Sequence, residues 1–167
     1  GSELAPIVGQ QITLDATNEA IVGSRIDLLL ARAGAQFASQ VLGGLVKECE
    51  VVVYGAGWGM LYNPSMQLFT PDQSDEATMT DAQLRQYVND SGDSITYMCV
   101  PFGSGERMAL DRDMDGFLNR DEIAAGSDPA DANSTPAPTA VQHLGAEIGR
   151  NAPILLPIVA AIMLIAT

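Results

Sequence analysis

The sequence predicts a small α+β domain with N-terminal helices, short antiparallel strands, one EF-hand-like loop and an apolar C-terminal helix. Four stretches carry that prediction. Residues 17–46 place apolar side chains at helical spacing, residues 49–54 (CEVVVY) and 94–101 (SITYMCVP) read as strands, and residues 111–122 (DRDMDGFLNRDE) put acids on alternate positions before a glycine. With 167 residues, 47% of them apolar, the chain can bury one core and still carry appendages.

Residues 1–16 lack periodicity and are expected to be an extended lead-in. The domain is expected to fill residues 17–126. Thr17 or Asn18 can cap a helix, and Ile21, Ile26, Leu29, Leu30, Ala33 and Phe37 supply its apolar face. This helix, or helix pair, is expected to run to about residue 46, broken at Gly34 and at Gly43-Gly44. The strand at 49–54 turns at Gly55-Ala56-Gly57 and returns over 58–62 as a hairpin. The glycines at 55, 57 and 59 are not a phosphate cradle, because Pro64 follows too soon for the helix such a cradle needs.

A polar loop is expected over 70–80. Thr80 and Gln83 then form a capping box for a short helix whose apolar face is Leu84, Tyr87 and Val88. Residues 90–93 end it, the strand at 94–101 follows, and residues 107–110 are expected to be a short strand entering the acidic loop.

That loop matches the twelve-residue calcium pattern D-x-D-x-D-G-x5-E at every position. Calcium takes about six to eight oxygens at roughly 2.3–2.6 Å, and side chains on alternate positions converge as the backbone wraps an ion. The expected ligands are Asp111, Asp113, Asp115, the Phe117 carbonyl, Asn119 directly or through water, and Glu122 with both oxygens. Gly116 permits the sharp turn, and Leu118 is the inward apolar anchor. With a strand before the loop and a helix only after it, the site is expected to be structural rather than a switch that opens a helix pair. Asp128 and Asp131 are candidates for a second, weaker cation site.

Cys49 and Cys99 are the chain's two cysteines, and no CxxC motif is present. They can pair as one disulfide or remain two buried thiols. The formal charge of −13 disfavours nucleic acid and anionic headgroups as partners. The one histidine, His143, lies in linker sequence, and no nucleophile–base spacing or cofactor fingerprint occurs, so no enzymatic activity is expected.

Residues 127–150 have the Ser-, Pro- and Ala-rich composition of a linker. Residues 151–167 end in the uncharged run APILLPIVAAIMLIAT. As a helix, that run would span about 24 Å against about 30 Å of hydrocarbon. It is expected to be a membrane anchor, the alternatives being a helix packed on a partner protein or on its own domain.

The loop and its continuation, DRDMDGFLNRDEIAAGSDPADANSTP, resemble calcium-binding segments of exported bacterial surface proteins, of the thrombospondin type 3-like and dockerin-like kind. Upstream, Cys49, Val51 to Gly55, Trp58, Tyr62, Leu84-Arg85, Thr96-Tyr97, Cys99 to Pro101, Gly103 to Gly105 and Arg107 are similar to a recurrent C-terminal region of such proteins. The resemblance spans roughly residues 17–132, specific in the loop and looser elsewhere. It implies an exported, extracytoplasmic location and a calcium-stabilised module, and it carries over no catalytic residue. The expected function is a non-catalytic structural module, tethered to a membrane or serving as an accessory subunit of a cell-envelope complex. The alternative is a calcium-ordered domain that binds carbohydrate or protein.

Overall fold

The computed structural model describes residues 5–41 and 43–137. His143 and the apolar run at 152–167, with the anchor expected there, lie outside the described residues. No helix among the described residues is long and apolar enough to cross a membrane.

The architecture is mixed α and β. The elements, in chain order, are β1 (Gln11–Leu14), α1 (Glu19–Ala33), β2 (Gln36–Ala38), β3 (Leu45–Lys47), β4 (Glu50–Gly55), β5 (Trp58–Asn63), β6 (Leu68–Pro71), α2 (Asp81–Ser91), β7 (Ile95–Val100), α3 (Gly105–Ala109) and α4 (Asn119–Ala125). A five-stranded antiparallel sheet has the order β1-β7-β4-β5-β6, and β2 and β3 pair apart from it.

The centre of the sheet explains the valine run. In β4, Val51 and Val53 face one side while Val52 faces the other, and all three are fully buried. The first face packs Val51, Val53, Ile95, Tyr97 and Cys99 against Ile26, Leu29 and Ala33 of α1 and Leu84 and Val88 of α2. The second face packs Val52 and Val100 against Ala109 and Leu110, with Met108 and Leu118 alongside. The acidic loop therefore hangs from the opposite side of the sheet to the long helices.

The capping box forms as expected: the Thr80 hydroxyl accepts from the Gln83 amide, and the Gln83 side chain accepts from the Thr80 amide. Five other expectations are corrected. The lead-in contains β1, which the period-2 burial of Ile12 and Leu14 seats against β7. Helix α1 ends at Ala33 instead of near residue 46. The remainder is the β2–β3 hairpin, where Phe37 pairs with Val46 across a turn carrying two positive-φ glycines, so Phe37 is not on the helix face. Ile21 is 77% exposed, and the buried stripe is Ile26, Leu29 and Ala33. Residues 68–71 form a strand because Phe69 fills the core.

Residues 107–109 are helical and Leu110 caps the helix, so this stretch is not extended. The Glu50 carboxylate accepts from the amides of Gly103 and Gly105 and turns the chain into α3. Gly105 and Ala109, four residues apart, are then buried on one side. A short helix thus precedes the acidic loop as well as following it, but it has only five residues.

The approach of α3 to the sheet is tight. A Cβ on Gly59 would lie 2.5 Å from the Ala109 carbonyl oxygen, with backbone on both sides. Gly59→Ala is expected to destabilise by about 1–3 kcal/mol through overpacking, read as a lower melting temperature.

Candidate metal centre

The loop is closed at its neck by the Asn119 amide, which donates to the Leu110 carbonyl at 2.8 Å. Inside it, each acid turns part of its hydrogen-bonding capacity to the local backbone. Asp111 accepts from the Met114 amide (2.6 Å) and from the Gly116 amide (2.9 Å). Asp113 accepts from the Asp115 amide, and Asp115 from the Phe117 amide. The Asn119 side chain accepts from the Arg112 amide at 2.9 Å. Gly116 sits at φ +96°, a conformation that a Cβ opposes, and Met114 is held at φ 63°.

These bonds leave a remainder. Asp113 Oδ2, Asp115 Oδ2 and Glu122 Oε2 are buried and accept no hydrogen bond. Carboxylate oxygens of Asp111, Asp113 and Asp115 lie within 4.8 Å of one another, so this trio can hold a metal ion. Glu122 is outside the tightest trio but is wholly buried, and its Oε1 accepts from the Ser127 hydroxyl at 3.3 Å. Burial, and then the neighbouring charge of Asp115, pushes the Asp113 carboxyl above its ordinary range, and the same two causes raise Glu122. Buried anionic oxygens facing one another without donors are a costly arrangement that a hard cation would relieve.

Of the expected ligands, Asp111, Asp113 and Asp115 are brought together, and Asn119 and Glu122 enter the loop from the first turn of α4. The Phe117 amide is turned to Asp115, which leaves its carbonyl as the group to be offered. Asp128 and Asp131 stand apart. Each closes its own turn, accepting from the Ala130 and Asn133 amides, and among the described residues neither joins a cluster of three acids.

The two cysteines pair. Cys49 and Cys99 form a disulfide with Cα atoms 5.7 Å apart, both fully buried beneath the helices. A buried disulfide points to an oxidising, extracytoplasmic environment.

Sequence reading missed one buried acid. Asp72, at the end of β6, is 4% exposed, and its Oδ1 accepts no hydrogen bond. Its nearest cation is Arg120 of α4, at 3.9 Å. Burial pushes its carboxyl up to about 6 despite Arg120. No spacing motif marks this residue, because its burial comes from α4 folding over the strand end. The raised value fixes the sign of a pH effect. The folded protein holds a proton that the unfolded chain releases from about pH 4 upward, so stability falls as pH rises from about 4 to about 6. The shift, from 3.8 to about 6, caps the cost at about 3 kcal/mol above that window. Asp72→Asn is therefore expected to stabilise by about 1–3 kcal/mol at neutral pH and by little near pH 4, measured by urea unfolding at both.

Comparison with protein-family models, with curated proteins and with solved structures gave no match.

Proposed function

We propose that this chain is a non-catalytic, exported module whose acidic loop binds calcium and is stabilised by it. The observation that carries the proposal is the set of buried, donor-free carboxylate oxygens on Asp113, Asp115 and Glu122, in a loop whose spacing suits calcium's large oxygen shell. Magnesium, which demands a smaller octahedral shell and keeps its waters, suits the loop less well. Support for export comes from the buried Cys49–Cys99 disulfide and from the resemblance of residues 111–136 to calcium segments of exported bacterial proteins.

In this reading the ion sits beneath the second face of the sheet, locking α3 onto Val52 and Val100 and α4 onto the end of β6. The uncharged run at 152–167 would tether the module to the membrane or to an envelope partner. The test has two arms. Calorimetry with calcium on the full chain is expected to give one binding event that chelator abolishes, and no heat would sink the metal reading. Removal of residues 152–167 is expected to release the protein from membranes, and a truncated chain that stays bound would sink the tether.

A further inference from the structure

Helix α4 faces two ways. Asn119 and Glu122 point into the loop, whereas Arg120 and Asp121 hold the segment that joins β6 to α2. The Arg120 amide donates to the Asp72 carbonyl at 3.0 Å, and its guanidinium pairs with Glu76 at 2.8 Å. Both Asp121 oxygens accept from the Ser74 amide at 3.1 Å. That segment continues as the wall of a half-open pocket of about 470 Å3, lined by Trp58, Met60, Met79 and Tyr87 with the Glu76–Arg120 pair at its edge. Trp58 meets Tyr87 edge-on, ring centres 6.0 Å apart. Among the described residues, the only charges lining the pocket, Glu76 and Arg120, pair with each other, so a charged ligand would shed its water and meet no unpaired opposite charge. Methionines and aromatic rings adapt to an apolar guest.

We propose that the loop and this pocket form one coupled unit, in which a cation held by Glu122 fixes α4, and through it the pocket wall, so that the pocket binds a small uncharged apolar molecule. The proposal rests on the calcium reading. Without the ion, the buried, donor-free oxygen of Glu122 shares the loop with those of Asp113 and Asp115, and Glu122 belongs to the same helix that holds residues 72–76. By linkage, a guest in the pocket tightens calcium binding by the factor that calcium tightens the guest.

Trp58 is the chain's one tryptophan and lines this pocket, so the dye, which must enter the pocket, is read beside its emission. Calcium binding by the full chain is followed by calorimetry and by Trp58 emission. The uncharged dye N-phenyl-1-naphthylamine is titrated with calcium and with chelator, read by energy transfer from Trp58. Trp58 emission is expected to change with the calorimetric midpoint, and the dye to bind at least about fivefold tighter with calcium. Met79→Glu, which puts a charge in the pocket, is expected to abolish dye binding with calcium binding intact. The double variant Glu76→Ala, Asp121→Ala is expected to bind calcium while its dye affinity ignores the ion. Calcium heat with a silent Trp58, or with a dye affinity indifferent to calcium, overturns the coupling and leaves the calcium reading standing. Absence of calcium heat overturns both.

Discussion

Glu122→Gln is expected to remove most of the protein's calcium-dependent thermal stability. An ion bound by the folded state alone stabilises it by about 2.7 kcal/mol at a hundredfold excess over Kd. At roughly 4 °C per kcal/mol for a domain of this size, the wild type is expected to melt about 10 °C higher in calcium than in chelator. Glu122 is wholly buried, and Oε2 has no partner except the expected ion. The amide keeps the shape and loses the charge, so calcium is expected to raise the variant's melt by less than about a third of the wild-type gain. In chelator the sign reverses. Glutamine no longer repels Asp113 and Asp115, so the variant is expected to melt at or above the wild type. Scanning calorimetry of both proteins in both buffers checks this. An ordinary packing defect would lower the variant in both buffers, and a wild type indifferent to chelator would end the argument.

The second large effect belongs to the disulfide. Cys49 and Cys99 are 50 residues apart, and by chain entropy such a cross-link contributes about 4 kcal/mol, with about 2–4 typical of measured cases. The double variant Cys49→Ala, Cys99→Ala is expected to lose about 2–4 kcal/mol, and more if the vacated sulfur volume stays open. Denaturant unfolding in calcium checks it. Because both sulfurs are fully buried, reductant is expected to act on the native protein only as fast as it opens. A loss under about 1 kcal/mol would mean that β4 and β7 hold the register unaided. The two fasteners lie on opposite faces of the sheet, the disulfide under the helices and the loop under α3 and α4, so their losses are expected to add in a triple variant with Glu122→Gln.

The cluster of Asp111, Asp113 and Asp115 was legible because its geometry is local: alternate spacing and the turn at Gly116 bring the three carboxylates together. The Thr80–Gln83 cap was legible for the same reason. The strands β1 and β6 were not, because their signals are short and only their partners make them strands. Helix α3 was misread because its glycines suggested turns, while the group that bends the chain, Glu50, lies more than 50 residues upstream of Gly105. Asp72 was invisible because local sequence does not record burial that another element creates. Phe37 looked helical by spacing, yet pairing with Val46 claimed it for a hairpin.

The sheet order has a consequence for the way the chain is put together. Among the described residues β1 pairs with β7 alone, and the hydroxyls of Thr13 and Thr96 that meet across that seam are 83 residues apart. β1 must therefore wait for nearly the whole domain before it has a neighbour, while β4 and β5 can form their hairpin at once. Assembly of the sheet should begin in the middle and finish at β1, the last seam closing against the largest loss of chain freedom.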